Sequence, residues 1–191
     1  MKPEQTGLVV LAAGDSDRFG AADKLFAQIS GGSVLSVMAS SLIDIHFKHK
    51  VMVIGCDPVG KPWDDFAGFN FVQNLESGAL GRSVALGVAA LNPDCQAVVL
   101  ALGDMPFVHR STYVQLCEAC TDLDSIVVSK CSTALGPPTA FGRQHFDRLM
   151  KLDGNRGAAQ IWSGHPDLKI VVIDDPEARD IDTQDDLDTC P

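Results

Sequence analysis

The residues best suited to chemistry begin in a loop that follows the first apolar run of the chain. Segment 11–20 reads LAAGDSDRFG, and Lys24 follows four residues later. Small residues just past a strand let the backbone approach a ligand closely, and successive N–H groups there can bind phosphate oxygens. Arg18 can donate to two such oxygens at once, while Lys24 places a point charge near one. The loop is therefore a candidate phosphate site, with solvated surface charges as the alternative interpretation.

Two better known nucleotide loops are excluded at this position. No Gly-Lys-Ser or Gly-Lys-Thr closes the segment, as a Walker A loop requires, and Gly-x-Gly-x-x-Gly is absent. The missing dinucleotide fingerprint also argues against an oxidoreductase.

Carboxylates follow two later apolar runs. Asp104 stands in GDMP directly after run 97–102, and Asp182 stands in DIDT after run 169–173. Mg²⁺ usually takes one or two carboxylates together with substrate oxygens and water, so both residues are candidate metal ligands. The alternatives are that Asp104 only forms a turn and that Asp182 or Thr183 caps a final helix.

Short apolar runs and helical periods alternate along the whole chain and must position these residues. The runs that predict strands cover 8–12, 51–55, 69–72, 97–102, 125–129 and 169–173, and most are apolar throughout, as strands covered on both faces are. Helices are predicted after Ser33 and over 80–91, 112–119, 144–152 and 183–188. Segment 136–138 is predicted as a sharp loop.

This alternation predicts a three-layer α/β/α fold with a Rossmann-like, mostly parallel sheet, formed by residues 1–191 as one domain. Ligands bind such sheets at the carboxyl ends of the strands. The glycine-bearing loop and Asp104 both follow strands, so we expect the functional site there.

Composition excludes several function classes. A formal net charge of -10 argues against a nucleic-acid partner, because nucleic acid is held mainly by clustered Lys and Arg. No apolar run approaches the length of a transmembrane helix and the first residues do not resemble a signal peptide, so we expect a cytoplasmic protein without membrane contact. The six cysteines are expected to be thiols. Cys117 and Cys120 are interpreted as buried helical residues rather than a metal or redox pair, and His109 and His145 as structural or surface residues.

Six motifs occur in one order across nearly the whole chain. They are LAAGDSDRFG followed by Lys24, then Asn74 with Gly78 and Ser83, then GDMP, GPPTAF, LDGNRG and DIDTQDDL. This order resembles the MobA-like nucleotidyltransferases of molybdenum cofactor maturation, and most closely their cytidylyltransferase branch. Ala-Ala-Gly in the first motif, where the guanylyltransferases tend to show Ala-Gly-Gly, favours CTP over GTP within that resemblance.

The resemblance implies Mg²⁺-dependent transfer of CMP from CTP, or GMP from GTP, to the phosphate of molybdopterin or molybdenum cofactor, with release of pyrophosphate. It implies that Lys24, Arg18 and Asp104 are catalytic and that Asp104 and Asp182 bind the metal. The nucleotide site would comprise Leu11, Ala12, Ala13, Gly14, Arg18, Lys24, Asn74, Gly78 and Ser83. The acceptor site would comprise Gly136, Pro137, Pro138 and Asn155. A molybdoenzyme remains open as recipient of the product.

The chain departs from the family pattern at a few positions, and two other functions stay open. Phe19 stands where Met is usual, and Asn155 stands where Asp is common, which removes a charge from the acceptor side. Sugar-nucleotide pyrophosphorylases have a similar glycine loop and metal Asp, so the acceptor could be a sugar or polyol phosphate. A non-catalytic protein that binds nucleotide or cofactor and delivers it is the remaining alternative.

Overall fold

The computed structural model describes residues 1–14, 19, 23–55, 63–66, 68–76 and 78–189. Its strands are β1 (Thr6–Ala12), β2 (Gln28–Ile29), β3 (Gly32–Ser33), β4 (His49–Ile54), β5 (Asn70–Gln73), β6 (Ala97–Leu102), β7 (Ile126–Lys130), β8 (Leu135–Gly142) and β9 (Leu168–Val172). Its α-helices are α1 (Val34–Ser40), α2 (Leu80–Ala89), α3 (Arg110–Ala119), α4 (Phe146–Leu149), α5 (Ala159–Trp162) and α6 (Gln184–Asp188). Short 3₁₀ turns cover Pro3–Gln5, Lys24–Phe26, Trp63–Phe66 and Arg143–His145.

A seven-stranded sheet in the order β5-β4-β1-β6-β8-β7-β9 forms the central layer. Strand β1 pairs in parallel with β4 and β6, β4 with β5, and β7 with β9, whereas β8 runs antiparallel between β6 and β7. Strands β2 and β3 form a separate small hairpin. The prediction of a mostly parallel sheet is confirmed.

The core lies on both faces of this sheet, which explains the continuous apolar runs. Along β1, Leu8 and Val10 belong to one apolar cluster and Val9 to another. Helices α1 and α3 contribute to the first cluster, and α2 and α4 to the second. Helix α2 approaches closely because residue 87 is glycine: a Cβ there would lie 2.3 Å from Val9 Cγ1. Strands with both faces covered need apolar side chains at every position.

The predicted loop at Gly136–Pro138 is wrong, because these residues lie inside β8. Proline has no N–H to donate to a neighbouring strand and is therefore tolerated in a sheet mainly at irregular positions. Strand β8 meets that condition, since its pairing with β7 shifts register between Val128 and Ser129. The Ser129 hydroxyl donates to the Pro138 carbonyl at 2.7 Å, which holds this irregular stretch in the sheet.

Most predicted helices are present with different bounds: α2 ends two residues earlier than predicted, and α3 begins two residues earlier. The Ser33 hydroxyl accepts a hydrogen bond from the Ser36 N–H at 3.2 Å and begins α1 as predicted. The helix predicted over 144–152 is only a 3₁₀ turn followed by the single turn of α4. Helix α5 was not predicted. Among the described residues, none of the helices combines the length and apolar character needed to span a bilayer.

Candidate functional site

A cavity of about 190 Å³ opens where β1 and β6 end, at the edge of the sheet where ligands are expected. The two strands are held together there, because the Gly103 N–H donates to the Leu11 carbonyl at 2.9 Å. A Cβ at Gly103 would lie 3.1 Å from Leu35 and 3.3 Å from Ala12, so a larger residue would crowd the turn. The cavity is lined by Leu11, Ala12, Ala13, Gly14, Lys24, Leu25, Gly78, Ala79, Leu80, Ser83, Leu102 and Asp104.

Lys24 is the cation among the described residues that line this cavity, and it bridges two carboxylates. Its Nζ donates to Asp104 Oδ2 at 2.6 Å and to Asp182 Oδ1 at 2.7 Å, and the residue is only 8% exposed. Burial by itself lowers the pKa of Lys24, but the two carboxylates, Asp104 above all, outweigh burial and raise this pKa above its ordinary value. Lys24 is therefore a charged ammonium that is held between the two carboxylates.

Asp104 lies in the turn that follows β6 and has one oxygen still to be satisfied. Its Oδ2 accepts from Lys24, while Oδ1 is buried and has no hydrogen-bond partner among the described residues. A buried carboxylate oxygen without a donor or a cation is unfavourable. Asp104 Oδ1 can thus accept a further donor or bind a cation.

Asp182 reaches the same point from the C-terminal segment, and Thr183 is the residue that caps α6. The Thr183 hydroxyl and the Asp186 carboxylate form a reciprocal capping box, and Asp186 Oδ2 also accepts from the Asp182 N–H at 3.0 Å. The Asp182 side chain does not form this cap and faces Lys24 instead. Partial burial and the charges of the nearby Asp182 and Asp104 raise the pKa of Asp180.

The loop before α2 forms the opposite wall. Gly78 has a φ of 68°, a left-handed conformation that glycine adopts without strain. Asn74 is buried beneath this loop, where its amide donates to Ser83 Oγ at 2.9 Å and its Oδ1 accepts from the Glu76 N–H at 3.0 Å. Asn74 therefore shapes the loop, whereas Gly78 and Ser83 line the cavity.

Helix α2 is positioned by a contact that sequence reasoning missed. The Gly81 N–H donates to the Gly154 carbonyl at 2.8 Å, and a Cβ at Gly81 would lie 2.6 Å from the Asp153 carbonyl oxygen. Segment 153–156, which contains the exposed Asn155, thus packs against the start of α2 and does not line the cavity. A glycine early in a helix is the only signal in the sequence for such an approach.

A second cavity, of about 180 Å³, adjoins the first and shares Leu11, Leu80 and Leu102 with it. Of the residues predicted on the acceptor side, Pro137 lines it together with Thr139, as alternate residues of a strand do. Gly136, Pro138 and Asn155 do not. The remaining lining residues are Val84, Leu100, Gly157, Ala158, Ala159 and Trp162.

Arg18 lies outside the described residues, so the structure gives no position for it. Asp104 and Asp182 are suited to Mg²⁺, because they converge as oxygen ligands and Asp104 Oδ1 lacks a partner. Within the described parts of the chain, no group of three or more His, Cys, Asp or Glu side chains has the arrangement of a metal site. A bound Mg²⁺ would thus take its other ligands from substrate and water, as this ion usually does.

The cysteines of the described residues are free thiols, as expected. Burial raises the pKa of Cys117 to about 12 and that of Cys120 to about 11. Cys131 lies in the loop between β7 and β8, where a hydrogen bond with the Thr133 side chain lowers its pKa.

Residues 8–168 match the family model of the MobA-like NTP transferase domain. The chain belongs to this family. Its sequence is 31% identical over 144 residues to the bifunctional protein GlmU of Corynebacterium aurimucosum, which is 71% of this chain but only 29% of GlmU. The crystal structure of Rv0371c from Mycobacterium tuberculosis superposes with a TM-score of 0.80 at 26% identity over 95% of both chains, and Rv0371c has also been solved in complex with manganese. The superposition on Rv0371c confirms the fold predicted from the sequence.

Proposed function

We propose that this MobA-like transferase moves CMP from CTP to the phosphate of molybdopterin or molybdenum cofactor, and releases pyrophosphate. The observation that carries the proposal is the bridged group of Lys24, Asp104 and Asp182 beside the backbone of residues 12–14. Lys24 and Asp104 line the same cavity as the small-residue end of β1, and Asp182 contacts Lys24 from the C-terminal segment. These are the parts that a triphosphate and its metal ion require.

The nucleotide would lie in the cavity between the end of β1 and the start of α2. Ala12, Ala13 and Gly14 present little side-chain bulk on one wall, and Gly78 and Ser83 form the other. Small residues let the backbone N–H groups approach phosphate oxygens closely. Because the formal net charge of the chain is -10, local cations must offset the charge of the ligand. Lys24 is positioned to do so, and we expect Arg18 to assist it.

In the proposed reaction a phosphate oxygen of the acceptor attacks the α-phosphorus of CTP in line. The new bond joins the acceptor oxygen to that phosphorus, and the bond to the departing pyrophosphate breaks. Both reactants are anions, so positioning and charge neutralisation must supply most of the rate. Lys24 would turn from the carboxylates to phosphate oxygens as these gain charge. The acceptor phosphate is already ionised near neutral pH, so no general base is assigned.

Asp104 and Asp182 would hold Mg²⁺, whose charge would stabilise the phosphates when it is bound. The capping box at Thr183 and Asp186 keeps the Asp182 backbone in place, and the Ile181 N–H donates to the Asp104 carbonyl at 2.9 Å. The two carboxylates are thus fixed relative to each other before any ligand arrives. Such preorganisation is what makes charged groups effective in catalysis.

The test is release of pyrophosphate from CTP and from GTP, each with Mg²⁺ and with or without a molybdopterin-type acceptor. We expect release from CTP that depends on both the acceptor and the metal ion. Pyrophosphate release from GTP but not from CTP would show that the nucleotide is GTP and would leave the rest of the proposed reaction unchanged. Tight binding of CTP without pyrophosphate release under any condition would instead favour a non-catalytic delivery protein and would contradict the proposal.

A further inference from the structure

We propose that Glu177 is a positioning residue for the metal site: its carboxylate ties the segment that carries Asp182 to the start of α3. This inference rests on the proposed function, because it takes Asp104 and Asp182 as the ligands of the metal ion. Among the described residues, Glu177 is the only acidic residue that is almost fully buried, with 5% of its surface exposed. A buried carboxylate is unfavourable unless donors satisfy it, so the donors around Glu177 show what it holds.

These donors come from the start of α3. Glu177 Oε1 accepts from the His109 N–H at 2.7 Å and from the Thr112 hydroxyl at 2.8 Å, and His109 Nδ1 lies 3.1 Å away. His109 is the N-cap of α3, and its own side chain forms no cap. In a capping box, the side chain at the third helical position accepts from the N-cap N–H. That position of α3 is Thr112, and Glu177 supplies the carboxylate from a distant part of the chain.

Glu177 and Ile181 fasten the segment after β9 at two points. The Ile181 N–H donates to the Asp104 carbonyl at 2.9 Å, whereas Glu177 binds His109, five residues beyond Asp104. Asp182 follows directly after Ile181. None of the side chains of α6 is fully buried, so the capping box joins Asp182 to α6 but does not by itself hold α6 to the sheet. Glu177 therefore limits how far Asp182 can move from Asp104.

A turn at Asp174 connects the Glu177 side chain to the backbone that leads to Asp182. The Glu177 N–H donates to Asp174 Oδ1 at 2.9 Å, and the Ala178 N–H donates to the Asp174 carbonyl at 3.2 Å. Loss of the Glu177 contacts would thus free this turn from α3. Groups that orient metal ligands typically contribute about 10–100-fold to metal affinity.

The test is titration with Mn²⁺ in the absence of nucleotide, with electron paramagnetic resonance of the free ion, at a temperature well below the Tm of each variant. We expect Glu177→Ala to weaken Mn²⁺ binding about tenfold. Glu177→Gln keeps an acceptor oxygen and should lose only about threefold, because hydrogen bonds to a neutral acceptor are about half as strong. Wild-type affinity in Glu177→Ala, or an equal loss in both variants, would overturn the proposal.

Ser125→Ala separates positioning from a general loss of stability. Ser125 is also buried, and its Oγ accepts from Lys169 Nζ at 2.8 Å and from the Asp122 N–H at 3.2 Å. It precedes β7, whose start lies at the edge of the sheet opposite to the end of β6, because both strands run antiparallel to β8. Ser125→Ala should lower the Tm and leave the Kd of Mn²⁺ unchanged. A weaker affinity in this variant would mean that metal binding only follows stability, and would contradict the positioning role.

Thr112→Val tests the same contact from the other side. It removes one of the two hydrogen bonds to Glu177 and should weaken Mn²⁺ binding roughly threefold, which is half of the expected free-energy change. In the double variant with Glu177→Ala, the loss of the Thr112 hydroxyl should cost nothing further. Should Glu177→Ala fail to fold, Thr112→Val decides the question, and wild-type affinity in it would refute the proposal.

Turnover separates this inference from the proposed function. In Glu177→Ala, the Mg²⁺ concentration that gives half-maximal pyrophosphate release should rise about tenfold, and excess Mg²⁺ should restore the rate. If wild-type protein releases pyrophosphate and the Mn²⁺ affinity of Glu177→Ala is normal, the positioning role fails and the proposed function stands. If wild-type protein releases no pyrophosphate from CTP or GTP while Glu177→Ala binds Mn²⁺ more weakly, the proposed function fails and the positioning role stands.

Discussion

Replacement of Lys24 by methionine should increase the affinity of the protein for a divalent metal ion when nucleotide is absent. The Lys24 ammonium lies 2.6 Å from Asp104 Oδ2 and 2.7 Å from Asp182 Oδ1, between the two proposed metal ligands. Mg²⁺ bound by both oxygens would need distances of about 2.0–2.1 Å. A divalent ion and an ammonium cannot share that space, because they overlap and repel each other. Methionine keeps most of the side-chain length and removes the charge.

The expected change in metal affinity follows from the free energy that the Lys24 ammonium contributes through its hydrogen bonds to the two carboxylates. A hydrogen bond to a charged group contributes about 1.5–3 kcal/mol when it is well buried. The side chains of Asp104 and Asp182 keep 18% and 34% of their surface exposed, so solvent screening reduces the contribution of Lys24 toward the lower end. If the metal ion must displace an ammonium that contributes about 1.5 kcal/mol, its affinity for the two carboxylates is lowered roughly tenfold. We therefore expect the Kd of Mn²⁺ to fall about tenfold in Lys24→Met.

The assay is titration with Mn²⁺, followed by electron paramagnetic resonance of the free ion. Lys48→Met is the matched control, since the Lys48 ammonium lies 4.0 Å from an Asp94 carboxylate oxygen and Lys48 lines neither cavity. The double variant Lys24→Met with Asp104→Asn should lose the gain in affinity. With CTP present, wild-type protein should bind Mn²⁺ more tightly than Lys24→Met does. The phosphates would then draw Lys24 away from the carboxylates and add oxygen ligands for the metal ion. Turnover of Lys24→Met should fall by about 10².

An unchanged or weaker affinity for Mn²⁺ in Lys24→Met, with Lys48→Met equal to wild type, would refute this reasoning. It would mean that Lys24 does not stand in the place of a metal ion, and that the ion pair with Asp104 and Asp182 is structural.

Three further predictions test the cavity wall, the metal ligand and the cysteines. In Asp104→Asn, pyrophosphate release should fall by about 10² or more, whereas the Tm should change by less than about 4 °C, because the ammonium keeps its second carboxylate. Gly81→Ala should lower the Tm by roughly 4–8 °C, since its Cβ would collide with backbone carbonyls; Gly136→Ala, where a Cβ meets nothing within 4 Å, should not. Iodoacetamide at about pH 8 should modify Cys131 in native protein well before Cys117, whose pKa of about 12 leaves almost no thiolate; equal labelling in peptide mass maps would contradict the burial argument.

The cavity at the end of β1 could be predicted because local pattern and topology agree there. The apolar runs of β1 and β6 have the lengths of strands, and the carboxyl ends of neighbouring parallel strands lie at one edge of a sheet. A glycine or an acidic residue directly after such a run therefore lies at the edge of the sheet where ligands bind. Leu11, Gly14 and Asp104 follow from this rule, and the structure brings all three to one cavity.

The second cavity could not be predicted in the same way, because it depends on β8. Two consecutive prolines indicate a loop from local chemistry, and only the register shift opposite Ser129 allows them in a strand. Once β8 lies beside β6, Pro137 and Thr139 face the same space as Leu100 and Leu102. Long-range pairing thus overrode the local signal, and Trp162, which comes from an unpredicted helix, completes the wall.

The position of Asp182 beside Lys24 and Asp104 could not be derived from the order of the strands. It follows β9, an edge strand separated from β6 by β7 and β8, so strand order alone puts it far from Asp104. The segment after β9 returns across the sheet because Ile181, fully buried beside Val34 and Phe19, fixes it there. An isoleucine between two aspartates is the only local sign of this return. Burial of Ile181, together with the capping box at Thr183, holds the backbone from which Asp182 reaches Lys24, so a change at Ile181 should disturb the charged group without altering any of its members.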